Sequence, residues 1–285
     1  MAEQAVGVIG AGTMGSGIAQ LAAQSGYDVV LRDVERDLVD EGLARIEENL
    51  LEAEERDIID DAAGTFARVS GTTDIDAVTD EPTFIIEAVP EDMELKKKVF
   101  AELDEKTGTD TVLGSNTSSL PITEIASATE SPERVIGTHF FNPPVKMELL
   151  ELITGHHTDD ATVERTEQLA EDLGRTSILV DDFPGFATSR LGVILGMEAA
   201  RMVQQGVASP EDIDTGMKLG YNFPMGPLEL GDYNGWDVRM EIGEALAEEL
   251  GRDAFRPPTI VKQMVRAGDL GVKTGQGFYD WEDDE

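Results

Sequence analysis

Gly10-Ala11-Gly12-Thr13-Met14-Gly15 follows directly on the apolar run Ala5-Val6-Gly7-Val8-Ile9, and Asp33 closes the next apolar run. Glycines at these intervals, between a strand and a helix, suit a pyrophosphate. Gly10 allows a tight turn, Gly12 lets the backbone approach the phosphates, and Gly15 lets the helix pack on the strand. In a chain with 29 glycines the pattern alone carries little weight, so its context decides. A carboxylate at Asp33 can accept both hydroxyls of an adenosine ribose and would repel a 2′-phosphate. NAD is therefore expected in preference to NADP, although Arg32 and Arg36 flank the position and leave the choice open.

In an open α/β sheet, ligands collect outside the carboxyl ends of the strands. The groups that follow the apolar runs are the glycine loop, Asp33, the Glu87 to Glu91 turn, Asn116-Thr117-Ser118-Ser119 and His139-Phe140-Phe141-Asn142. Of three histidines, His139 alone ends an apolar run. An imidazole there can accept the proton of an alcohol while a hydride leaves for a nicotinamide. The competing reading is a core histidine. Glu151, in Glu148-Leu149-Leu150-Glu151-Leu152-Ile153, would share a strand face with Leu149 and Ile153. It either partners the His139 imidazole and fixes its tautomer, or stands in water at a sheet edge; spacing does not choose. His156-His157, just before Asp159-Asp160, reads as a solvated turn, and no metal site is expected.

These groups need elements to hold them. Val6 to Ile9 and Asp28 to Leu31 read as buried parallel strands, and Thr13 to Ser25 as a helix with Met14, Ile18, Leu21 and Ala22 at helical spacing. Phe84 to Ile86, Thr111 to Leu113, Val135-Ile136 and Ser177 to Val180 read as further strands, with helical patterns over Glu35 to Asp57 and Glu94 to Lys106. The fold class is thus α/β, a Rossmann-type doubly wound, mostly parallel sheet. Asp181-Asp182-Phe183-Pro184-Gly185 marks the domain boundary, giving a dinucleotide-binding domain over residues 1–182 and an all-helical one over 183–285.

Composition narrows the classes. The net charge is −36, from 58 acidic against 22 basic residues, in a chain that is 40% hydrophobic and should fold. Such charge must cover a surface, and it makes general nucleic-acid binding unfavourable. At about 1 M salt the Debye length is roughly 3 Å and self-repulsion is screened, so a salt-accumulating halophile is the expected source. No apolar stretch approaches the roughly 20 residues that span a bilayer, and no leader pattern opens the chain, so no membrane association is expected. With no cysteines, disulfides are excluded, and a cytoplasmic location is the expectation.

Six ordered motifs, taken together, resemble the 3-hydroxyacyl-CoA dehydrogenases over the whole chain. They are the glycine-rich start, Ser115-Asn116-Thr117-Ser118-Ser119, His139-Phe140-Phe141-Asn142-Pro143, Pro184-Gly185-Phe186, Phe223-Pro224-Met225-Gly226-Pro227 and Lys273-Thr274-Gly275-Gln276-Gly277-Phe278-Tyr279. The resemblance implies NAD-dependent, reversible oxidation of an L-3-hydroxyacyl-CoA to the 3-ketoacyl-CoA, as in β-oxidation, by a homodimer whose helical domain provides the dimer contact and the substrate cleft. It implies His139 as catalytic base, Glu151 as its orienting carboxylate, and Ser118 as the hydroxyl that bonds the substrate oxygen. It further assigns Gly10, Ala11, Gly12, Thr13, Met14, Gly15, Asp33, Glu91, Lys96, Asn142 and Lys273 to NAD, and Asn49 and Arg56 to the CoA portion. Ser189 departs from the pattern, because family members often carry a substrate-binding asparagine there; a hydroxyl can replace one of its hydrogen bonds. A chain without a fused hydratase points to short substrates such as 3-hydroxybutyryl-CoA. Two other readings keep the dinucleotide site: a dehydrogenase of 3-hydroxy acids or sugar acids lacking CoA, and a non-catalytic NAD-binding protein.

Overall fold

The computed structural model describes residues 5–80 and 82–281. The chain forms two compact units, Met1–Phe183 and Pro184–Glu285. The first unit alternates strands and helices in the order β1 (Ala5–Ile9), α1 (Thr13–Gln24), β2 (Asp28–Arg32), α2 (Arg36–Glu55), α3 (Ala62–Phe66), β3 (Val69–Thr72), α4 (Asp76–Thr79) and β4 (Phe84–Glu87). It continues with α5 (Met93–Lys106), β5 (Val112–Ser115), α6 (Ile122–Ala126), β6 (Val135–Phe140), β7 (Leu149–Thr154), α7 (Asp160–Asp172) and β8 (Thr176–Asp181).

The eight strands lie in the order β3-β2-β1-β4-β5-β6-β7-β8. Every neighbouring pair is parallel except β6 with β7, so the sheet is doubly wound and mostly parallel, with its connections reversing between β1 and β4. That reversal opens a crevice above β1, which is where such sheets take dinucleotides. Val6, Val8, Val29 and Leu31 cover one face and pack with Ile18, Ile46, Leu50 and Leu169 of the flanking helices in one core. Burial on both faces explains why the central strands are near-continuous apolar runs.

The strand β3 was not among the expected elements. Val69-Ser70-Gly71-Thr72 has one large apolar residue and pairs only with β2, so its pairing comes from its neighbour rather than from an apolar run. Gly71 sits against Val39 and Leu43 of α2, and a Cβ there would meet Val39 at 2.6 Å.

The second unit is helical: α8 (Thr188–Gln204), α9 (Pro210–Gly220), α10 (Pro227–Asn234), α11 (Trp236–Leu250) and α12 (Thr259–Ala267). Its cores gather Ala200, Leu228, Trp236 and Val261 in one cluster, and Val193, Met197, Leu246 and Phe255 in another. Two buried carboxylates hold its C-terminal tail. Asp232 accepts from Trp236 Nε1 at 2.6 Å, Phe278 N at 3.0 Å, Tyr279 N at 2.9 Å and Trp281 Nε1 at 2.9 Å. Asp214 accepts from the Tyr279 hydroxyl at 2.8 Å, and burial together with that bond pushes the phenol's pKa up. Among the described residues no helix is long and apolar enough to cross a membrane.

Candidate active site

The carboxyl end of β1 turns sharply at Gly10, whose φ is +103°, and runs into α1 through Gly12. A Cβ at Gly10 would sit 2.6 Å from the Ala88 carbonyl oxygen, and one at Gly15 would sit 1.7 Å from that of Gly10. The turn therefore tolerates only glycine at both places. Gly12 caps α1 without a side-chain bond, no acid occupies the first turn, and nothing lies within 4 Å of where its Cβ would be. Open space over the amide-bearing end of a helix fits a pyrophosphate. Asp33 faces the same loop, accepting from Ala11 N at 2.7 Å and Val34 N at 2.7 Å, and its carboxylate retains lone pairs for ribose hydroxyls. The residues present thus fit a dinucleotide. Arg45 of α2 adds a tie that the sequence reading missed, donating to Ser16 Oγ at 3.1 Å and to the Ala11 carbonyl at 3.4 Å.

Next along the sheet, the ends of β4 and β5 are bound together by a buried polar network. Glu87 ends β4 fully buried and accepts from Ser115 Oγ at 2.7 Å, Val89 N at 2.7 Å and Lys96 Nζ at 2.6 Å. Lys96 is 1% exposed, with its ammonium 3.3 Å from the Val89 carbonyl and 3.4 Å from Glu91 Oε2. The other oxygen of Glu91 accepts from Thr117 Oγ1 at 2.6 Å, Ser118 N at 3.0 Å, Ser119 N at 3.2 Å and Ser119 Oγ at 3.1 Å. Asn116 extends the linkage to β6, accepting from Phe140 N at 2.9 Å.

β6 and β7 are antiparallel with His139 directly opposite Glu151, so both side chains leave the same face of the sheet. The two are buried, with His139 Nδ1 and Glu151 Oε2 2.9 Å apart. β7 is flanked by β6 and β8, so the sheet-edge alternative for Glu151 is overturned: register, not spacing, makes the pair. A carboxylate only accepts, so Nδ1 carries the proton and the neutral ring keeps its lone pair on Nε2. The Phe141 ring packs against the imidazole with centroids 4.5 Å apart.

Two family models match the chain: the 3-hydroxyacyl-CoA dehydrogenase NAD binding domain over residues 5–183, and the C-terminal domain of the same enzymes over residues 185–281. The chain belongs to the 3-hydroxyacyl-CoA dehydrogenase family. It is 44% identical over 276 residues to the 3-hydroxybutyryl-CoA dehydrogenase of Clostridioides difficile, covering 96% of this chain and 98% of the relative. Identity to the protein of the same name from Bradyrhizobium diazoefficiens is 42% over 278 residues, covering 97% and 94%. The crystal structure of the (S)-3-hydroxybutyryl-CoA dehydrogenase of Ralstonia eutropha superposes with a TM-score of 0.94 at 39% identity, over 99% of this chain and all of that one.

As a 3-hydroxyacyl-CoA dehydrogenase, the chain binds NAD through its first unit. That unit carries the glycine loop, Asp33, Glu91, Ser118 and Asn142 in the segments that follow its strands, with His139 inside β6 and Glu151 inside β7. Asn142 is exposed just after β6, and Ser118 is half-buried. Lys96, expected at the cofactor, is buried against Glu87 at 2.6 Å. Asn49 and Arg56 are exposed at α2; Asn49 donates to Gln20 Oε1 at 3.2 Å, while Arg56 lies at the helix C-cap and pairs with Glu52. Ser189 and Lys273 belong to the second unit. Ser189 is in the first turn of α8, and Lys273 Nζ lies 2.7 Å from both Asp237 oxygens. Burial opposes ionisation of Asp237, but bonds from Lys273 and the Val238 amide outweigh it and hold its pKa below the ordinary carboxylate value.

Proposed function

We propose that the protein catalyses the reversible, NAD-dependent oxidation of L-3-hydroxyacyl-CoA to 3-ketoacyl-CoA, with 3-hydroxybutyryl-CoA as the preferred substrate in fatty acid β-oxidation. The observation that carries this reading is the buried His139–Glu151 pair at the carboxyl edge of a dinucleotide-binding sheet. The choice of thioester rests on the names of the full-length relatives. His139 takes the C3 hydroxyl proton at Nε2 as the C3 hydrogen departs with its electron pair. Bound NAD supplies the acceptor for that hydride. Glu151 stabilises the imidazolium so formed, and the Ser118 hydroxyl steadies the substrate oxygen as it becomes a carbonyl. In the reverse direction the imidazolium returns the proton.

Around this centre, the glycine loop and Asp33 hold the adenosine and pyrophosphate, and Glu91, Lys96, Asn142 and Lys273 are assigned to the cofactor. Asn49 and Arg56 would receive the CoA portion, where a cation on an acidic protein gives phosphates a local attraction. Ser189 is assigned to the substrate. The domain roles follow: residues 1–182 bind the dinucleotide, and residues 183–285 serve substrate binding and dimerisation. Leu219 at 83% and Tyr221 at 74% exposure support a homodimer formed through the helical unit, since large apolar groups so exposed mark association surfaces. A reducing cytoplasm fits a chain without cysteine.

The test is NADH formation from 3-hydroxybutyryl-CoA set against free 3-hydroxybutyrate. Turnover of the thioester is expected, and equal turnover of the free acid would remove CoA from the reading. His139→Gln should lower kcat by at least about a hundredfold, the scale of a lost general base, while NADH still binds.

A further inference from the structure

Among the described residues of the helical unit, Arg239 of α11 is the one buried cation, 4% exposed. Its Nη1 donates to the Gly192 carbonyl of α8 at 2.7 Å. Its Nε is buried with no hydrogen-bond partner, and no carboxylate among the described residues pairs with the guanidinium. Burial lowers its pKa to about 10, so the group still carries its charge at neutral pH. The other buried cations differ: Lys96 faces Glu87, and Arg134 faces Asp104. Acids are plentiful in the helical unit but engaged elsewhere. Asp237 pairs with Lys273 and Glu229 with Lys218, while Asp214 and Asp232 serve amide, indole and phenol donors. A buried charge without a partner is strongly unfavourable, so an anion that reached Arg239 from outside the chain would be held there.

The neighbouring helix makes room on the face that Arg239 meets. Gly192 and Gly196 lie one turn apart inside α8 and share that face, although glycine in a helix interior is unfavourable. A Cβ at Gly196 would lie 2.7 Å from Arg239 Nη1, so this glycine admits the guanidinium. A Cβ at Gly192 would meet nothing within 4 Å, so the helix leaves open space beside the carbonyl that holds Nη1. We propose that Arg239 and the α8 face at Gly192 form a binding site for a small inorganic anion such as chloride. The guanidinium supplies the charge, its Nε–H supplies a donor, and the bare backbone at Gly192 supplies the space. A halide is close to water in size and can reach a residue this enclosed. An organic anion, or a carboxylate carried by a second copy of the chain, would have to part the helices. Entry depends on salt, because a surface carrying most of a −36 charge repels anions at low ionic strength, whereas near 1 M the Debye length of roughly 3 Å removes that barrier.

The proposal stands apart from the dehydrogenase reading, since binding is read without substrate. Its test holds ionic strength at about 2 M with potassium salts, where screening is complete, and replaces glutamate by chloride. The wild-type Tm should rise with chloride and level off, by roughly 3–6 °C in all, as for a ligand that binds only the folded form. Arg239→Met removes the charge and Gly192→Leu fills the space. Both should lose the saturable rise and keep only the gradual change that exchanging one bulk salt for another gives every variant. Crystals of the full chain grown in potassium bromide should show an anomalous peak beside the Arg239 guanidinium. An equal chloride response in wild type and Arg239→Met would overturn the proposal. So would a bromide map in which Nε meets only water or a carboxylate of a second copy. Should Arg239→Met fail to fold, Gly192→Leu and the bromide map decide: a wild-type response kept in Gly192→Leu, or no peak at the guanidinium, sinks the site.

Discussion

Glu151 shows how a single residue gains a role through its neighbour. The β6–β7 register places it opposite His139, and its carboxylate settles which ring nitrogen holds the proton. Glu151→Gln keeps the size but can present an amide N–H to Nδ1, which would move the ring proton to Nε2 and leave no base at the reacting position. We expect a loss in kcat of about 10²-fold or more, with Glu151→Asp closer to wild type; steady-state kinetics with 3-hydroxybutyryl-CoA checks it. His139 stood out as a candidate because, of three histidines, it alone ends an apolar run. The surroundings of Lys96 were not legible, because a lysine in a polar helix pattern gives no local sign of burial, and only the fold encloses it among Glu87, Val89 and Glu91.

Elements with strong periodicity announced themselves, as α1, α2 and α5 did, each within a residue or two of its expected ends. Weakly patterned ones did not. The edge strand β3 has no apolar run because one side of it has no strand partner, so no local signal marks it. The irregular tail after α12 is similar: its order comes from Asp232, a carboxylate with four donors and no cation among the bonds described above. Asp232→Asn replaces one oxygen with an amide NH2 facing N–H groups, so lost charged bonds and donor–donor conflict should cost about 2–3 kcal/mol. Urea unfolding measures this, and an unchanged midpoint would show that the tail adds nothing to the stability of the helical unit.

At the scale of the molecule the charge of −36 dominates. Among the described residues the side chains of Glu87, Asp104, Glu151, Asp214 and Asp232 are buried, while most of the acid lies at the surface. Repulsion among these groups falls as the Debye length shrinks from about 10 Å at 0.1 M to roughly 3 Å at 1 M salt. A protein suited to a salt-accumulating cell should therefore melt at higher temperature and turn over faster in molar KCl than in dilute buffer. A Tm that is flat or falling across that range would remove the halophilic reading. By itself the sequence determined the dinucleotide loop, the α/β order and the candidate base, because glycine spacing, apolar runs and residue chemistry are local properties of the chain. Only the tertiary structure decided that Glu151 meets His139 and that Lys96 lies inside a carboxylate network. Those facts depend on strand register and burial, which arise when segments distant in sequence pair and exclude water.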